Sequence, residues 1–120
     1  ASDIDYLNAH GTGTVINDRN ETNAIKRVFK NQAQHLAISS TKSMYGHPLG
    51  AGGGIEAIVC IKSIGDHWVP PTVNLHEADC ECDLDYVPNK GRDQRVTYAM
   101  SNSFAFGGFN TVLVFGPAPM

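Results

Sequence analysis

The 120-residue chain reads as an α/β domain, a layered unit in which helices pack on a mixed sheet. Two observations predict that class. Along the first half, strand-like runs alternate with helical patterns in the order β-α-β-α, which calls for crossover helices between parallel strands. At the C-terminal end, two strand-like runs meet at Phe106-Gly107-Gly108, and such a hairpin adds an antiparallel partner.

Residues 3–9, containing Ile4-Asp5-Tyr6-Leu7, read as the first strand, followed by a Gly- and Thr-rich turn over 10–17. Asp18 and Glu21 have capping-box spacing, with Asp18 as the cap. Ile25, Val28 and Phe29 then repeat at helical spacing, predicting an amphipathic helix over 19–31. Leu36-Ala37-Ile38-Ser39-Ser40 is a second short strand. A second glycine turn spans 42–54, with Gly at 46, 50, 52, 53 and 54.

The following helix, 51–64, is apolar nearly all round: Ile55, Ala57, Ile58, Val59, Cys60, Ile61 and Ile64. It is predicted to be buried on most faces, and needs more cover than this chain supplies. Trp68-Val69-Pro70-Pro71-Thr72 is an edge segment, because proline cannot donate to a ladder. Residues 74–95 form a polar connection. Val96–Ala105 and Phe109–Phe115 are the last strands, and apolar residues on both sides of the final one predict burial on both faces.

Composition narrows the function. A hydrophobic fraction of 42% suits a globular core, and a net charge of −3 offers no basic face for nucleic acid. No apolar run is long enough to cross a bilayer, and no signal-peptide pattern is present. Three cysteines, 60, 80 and 82, are an odd number, which argues against a disulfide framework and for a reducing, cytoplasmic setting. Cys80-Glu81-Cys82 is too closely spaced for a zinc knuckle, the acidic run 77–85 lacks the glycine of a calcium loop, and no cofactor or metal is expected. The chain opens Ala1-Ser2-Asp3 without Met and enters a strand at once, so a piece of a longer protein is expected.

The chemistry gathers at two turns, Asn8-Ala9-His10-Gly11-Thr12-Gly13-Thr14 and Lys42-Ser43-Met44-Tyr45-Gly46-His47-Pro48-Leu49-Gly50. His10 and His47 follow the two strands at equivalent topological positions, and functional groups of α/β sheets collect beyond the carboxyl ends of strands. Two neutral imidazoles can each give one N–H to a single oxygen that develops charge, such as an enolate or thioester oxyanion. The helix beginning near Ala51 aims its positive end at His47, which disfavours the imidazolium. Glu56, a rare charge in an apolar helix, requires a partner, and Lys42 is the candidate. That pair is either a structural tie for the turn or a means of ordering water beside His47. Neither turn matches a Walker or dinucleotide pattern. Phe104 and Phe106 beside Gly107-Gly108 read, on spacing alone, as core packing.

Taken together, the motifs Asn-Ala-His-Gly-Thr-Gly-Thr at 8–14, Ser-Ser-Thr-Lys-Ser at 39–43, Gly-His-Pro-Leu-Gly-Ala-Gly-Gly-Gly-Ile-Glu-Ala at 46–57, Pro-Pro-Thr at 70–72, Cys-Asp-Leu-Asp-Tyr-Val-Pro-Asn at 82–89 and Ser-Asn-Ser-Phe at 101–104 resemble the C-terminal part of a β-ketoacyl-acyl-carrier-protein synthase of the elongating type, synthase II. The resemblance runs from Asp3 to Phe115. It implies a thiolase-like fold, residues 1–120 forming its incomplete C-terminal portion, and a Cys-His-His site whose nucleophilic cysteine lies upstream of this chain.

In that family His10 and His47 support malonyl decarboxylation, with Lys42 and Glu56 beside them. Thr12 and Thr14 match threonines that contact the pantetheine arm. Phe106 matches a gating phenylalanine whose N–H joins the oxyanion hole, and Phe104 its neighbour. The implied partners are acyl carrier protein bearing acyl or malonyl groups and a second copy of the full-length protein. Ala105 stands where Gly is common, Gly52 where Ala is usual and Val15 where Pro is common. None of these removes a catalytic group. A polyketide ketosynthase domain shares the same histidine motifs, and a non-catalytic, chain-length-factor-like subunit is the alternative from a different class.

Overall fold

In the computed structural model, which describes residues 1–118, one four-stranded sheet carries the molecule. Its strands are β1 (Tyr6–Asn8), β2 (Ala37–Ser39), β5 (Ala99–Ala105) and β6 (Phe109–Phe115), in the order β2-β1-β5-β6. β1 pairs parallel with β2 and β5, while β5 and β6 form the antiparallel hairpin, so the sheet is mixed. A minor pair, β3 (Trp68–Val69) and β4 (Arg92–Asp93), closes the far end of the connection.

Each face of β1 is covered by a different layer, as the period of a strand requires. Leu7 faces α1 (Val15–Phe29) and clusters with Ile25, Phe29, Leu36 and Ile38. Tyr6 faces the other way and clusters with Cys60 of α3 (Gly52–Asp66), Val69, Val87 and Val96. Between β2 and α3 lie a one-turn helix, α2 (Lys42–Tyr45), and a 3-10 turn, Leu49–Ala51.

Four expectations need correction. The cap of the first helix is Thr14, not Asp18: Asn17 N–H donates to Thr14 Oγ1 at 3.3 Å, and the helix begins at Val15. Glu21 is therefore free of the capping box, and its carboxylate goes elsewhere. The stretch 42–54 is not one glycine turn, since α2 and the 3-10 turn occupy it and Gly52 to Gly54 already belong to α3.

α3 is buried along a single stripe, Gly52, Glu56, Cys60 and Ser63, while Ile58 and Ile61 remain more than half exposed. Within this chain α3 has the sheet on one side only. β6 is likewise exposed along nearly its whole length, because it is the sheet edge and only β5 flanks it. Both departures share one cause. These elements are apolar on more faces than the described residues cover.

Candidate active site

Both histidines leave the carboxyl end of the sheet. His10 follows β1, and His47 follows β2 by way of α2. Their ring centroids lie 5.5 Å apart with the planes at 82°, edge to face. Phe104 of β5 packs on the same His10 ring, its centroid 5.5 Å away.

The His10 turn is held by backbone contacts. Gly11 has φ +40°, and a Cβ there would fall 2.4 Å from that of Ser40, so only glycine lets the turn lie on the end of β2. Ser40 Oγ donates to the Gly11 carbonyl at 2.6 Å. The carboxylate of Glu21 accepts from both turn amides, His10 N–H and Gly11 N–H at 2.9 Å each, and from Asn102 Nδ2 of β5 at 3.0 Å. Glu21 is thus a buried clamp joining α1, the turn and β5. The reading of the sequence missed it. The available signal was a charge on the stripe of α1 that also carries Thr22, Ile25 and Phe29, all buried. A carboxylate on a buried face must find donors.

His10 is itself buried, with Nδ1 unpaired among the described residues. Burial first, then the nearby Lys42 and His47, hold its pKa below the ordinary imidazole value, which favours the neutral ring. His47 is more exposed, and its tautomer is set by a backbone bond. Leu49 N–H donates to His47 Nδ1 at 3.2 Å, which leaves the proton on Nε2. Leu49 adopts φ +50°, a left-handed conformation that costs about 1–3 kcal/mol for a non-glycine residue. That cost is accepted at the position that fixes the ring.

Lys42 and Glu56 form the expected ion pair, Nζ to Oε1, both nearly inaccessible to solvent. Thr12 and Thr14 hydroxyls lie 3.1 Å apart. With His47 and Lys42 they line a cleft of about 930 Å³, which residues Thr72–Asp79 also line and His10 does not. Phe106 does not join this group: it is fully exposed at the hairpin tip, beside Gly107 and Gly108 with φ +83° and +81°. Cys60 is buried in α3 and its pKa is pushed up to about 12, first by burial and then by Glu56. The acidic connection is not merely solvated, since Asp79 and Glu81 pair with Arg19 and Asp83 with Lys26, tying it to α1. Among the described residues no group of three or more His, Cys, Asp or Glu could hold a metal ion, and no helix is long and apolar enough to cross a membrane.

Residues 1–76 match the family model described as "Beta-ketoacyl synthase, C-terminal domain". The chain belongs to the β-ketoacyl synthase family. It is 59% identical over 113 residues to 3-oxoacyl-[acyl-carrier-protein] synthase 2 of Staphylococcus aureus, covering 94% of this chain and 27% of that protein. It is 56% identical over 115 residues to nodulation protein E of Rhizobium meliloti, covering 96% of this chain and 29% of the other.

Among solved structures, a β-ketoacyl synthase from Burkholderia phymatum superposes with TM-score 0.90 at 44% identity, over 98% of this chain and 28% of that one. A type II polyketide ketosynthase, AntDE, solved with its acyl-carrier protein AntF, gives TM-score 0.94 at 40% identity, over 98% of this chain and 29% of its own. The fold is that of the ketosynthases, thiolase-like, and only its C-terminal portion is present. The chain spans between 27% and 29% of the curated relatives it matches.

Proposed function

We propose that this chain is the C-terminal part of an elongating β-ketoacyl-acyl-carrier-protein synthase, and that it works with a preceding part that brings the nucleophilic cysteine. The observation that carries the reading is the pair of rings 5.5 Å apart, one held toward its neutral form by burial and the other holding its proton on Nε2. An acyl group sits on the cysteine as a thioester. Malonyl carrier protein enters, with its pantetheine arm along Thr12 and Thr14. The bond to the carboxylate breaks, carbon dioxide leaves, and the electron pair passes into an enolate whose oxygen accepts N–H from both imidazoles. The enolate carbon then attacks the acyl thioester and the cysteine thiolate departs, leaving a chain two carbons longer.

Lys42 acts through its charge on His10, and Glu56 keeps Lys42 in place. Phe104 forms one wall at His10, and Phe106, exposed at the hairpin tip, would gate the cleft only after the hairpin swings on Gly107 and Gly108. The carrier protein is the partner, a second copy of the full-length chain completes a homodimer, and the reaction runs in the cytoplasm.

The test is condensation by the full-length protein. Supplied with an acyl primer and malonyl carrier protein, it is expected to yield a product two carbons longer by mass spectrometry, while isolated residues 1–120 give none. Turnover by the isolated segment would refute the division of the site. Likeness to the AntDE ketosynthase, at 40% identity, favours a polyketide role as the second reading, and repeated extension of one primer without intervening reduction would select it.

A further inference from the structure

α2 has only four residues, Lys42–Tyr45, too few to hold a helix by backbone bonding alone. Its placement nonetheless decides where His47 lies, because Gly46 alone, at φ +83°, separates its last residue from the imidazole. Three side chains fix it from outside. Lys42 pairs with Glu56. Ser43 Oγ donates to the Ser40 carbonyl at 2.7 Å and accepts from Val73 N–H at 2.9 Å.

The third tie begins in the central strand. Asn8, with no exposed surface, donates from Nδ2 to Thr41 Oγ1 at 3.1 Å, and Thr41 Oγ1 lies 2.9 Å from Tyr45 Oη. Thr41 is also buried. Asn8 Oδ1 has no partner among the described residues. A buried amide with one atom unpaired costs more than its single hydrogen bond returns, so packing energy does not explain its presence. Its position does. Asn8, the last residue of β1, stands two residues before His10, and Tyr45 stands two residues before His47. The chain of hydroxyls therefore spans the roots of the two imidazoles.

We infer that Asn8, Thr41 and Tyr45 form a hydrogen-bonded strut that sets the separation and tilt of the His10 and His47 rings, making them positioning residues for His47. The inference rests on the condensing-enzyme reading above. A loosened α2 lets His47 drift, so the developing enolate oxygen loses one donor. Loading of the acyl primer onto the cysteine does not use that pair of donors.

The two steps are separable in the full-length synthase. Tyr45→Phe and Thr41→Val are each expected to lower kcat for carbon dioxide release from malonyl carrier protein about tenfold, the rate equivalent of one lost hydrogen bond. KM for malonyl carrier protein and the rate of acyl loading stay at the level of the parent enzyme. Thr41→Ser, which keeps the hydroxyl, restores the parent rate. Unchanged carbon dioxide release in both variants overturns the strut. So does an equal loss in both steps that follows a lowered Tm, because that is the mark of a fold support. His47→Ala is the control: if it abolishes carbon dioxide release while both strut variants keep the parent rate, the strut alone fails. If His47→Ala changes nothing, the condensing-enzyme reading fails first.

Discussion

The two histidine turns occupy equivalent places on neighbouring strands, yet they are secured by opposite means. The His10 turn is short and buried at His10 itself, and its amides are gripped by one carboxylate, Glu21, reaching across from α1. The His47 turn is longer and more exposed, and it is held by side chains: the Lys42–Glu56 pair, the Ser43 bonds and the Asn8–Thr41–Tyr45 chain. The difference follows from what each turn has beneath it. β1 is an inner strand with a layer on each face, so His10 inherits rigidity from the sheet. β2 is an edge strand, and the chain beyond it must build its own support. One ring is therefore a fixed reference, and the other is adjusted to it.

The contrast can be broken first on the His47 side. Lys42→Ala strands the Glu56 carboxylate in α3 and is expected to destabilise the full-length protein by about 3–5 kcal/mol, the figure for half of a buried ion pair. Lys42→Met with Glu56→Leu should recover most of it, and urea unfolding measures both. If Lys42→Ala unfolds at the parent's midpoint, the pair does not hold the turn.

On the His10 side, Glu21→Ala leaves two turn amides and the Asn102 amide without an acceptor, at an expected cost of about 2–3 kcal/mol. Glu21→Gln keeps one acceptor oxygen and should cost less. Equal losses for the two substitutions would mean that the single oxygen kept by Gln contributes nothing to the clamp on its own.

The smallest effect sharpens the comparison through pH. The folded pKa of His10 lies below the ordinary 6.5. As pH falls through 6.5 the unfolded chain takes a proton that folded His10 refuses, so the His10 contribution to stability declines with pH until the lower folded value is reached, and levels off below it. The difference in unfolding free energy between the parent and His10→Gln, followed by urea titration across that range, isolates this contribution. A difference that is flat with pH would contradict the burial argument.

Much of this was legible in the sequence, for reasons that can be traced to residues. The succession of elements and the hairpin followed from alternation and from Phe106-Gly107-Gly108, and the two histidines from their place after short strands. The Lys42–Glu56 pair followed from the cost of a lone carboxylate in an apolar helix. Glu21 was misread because its spacing from Asp18 fits a capping box, and local spacing cannot reveal that Thr14 caps instead. Asn8 escaped because its contact joins residues 8 and 41, a long-range meeting with no local pattern. Burial of Ile58, Ile61 and β6 was overestimated because hydrophobic pattern reports the need for cover, not who supplies it.

The central claim is that both imidazoles serve one oxygen. A double-mutant cycle on carbon dioxide release from malonyl carrier protein, using His10→Ala, His47→Ala and both together in the full-length synthase, tests it most directly. The account predicts that each single change lowers the rate about a hundredfold or more, and that the double variant falls little below the worse single one, as for groups that act as a unit. Losses that multiply in full, or a single variant that retains the parent rate, would contradict it.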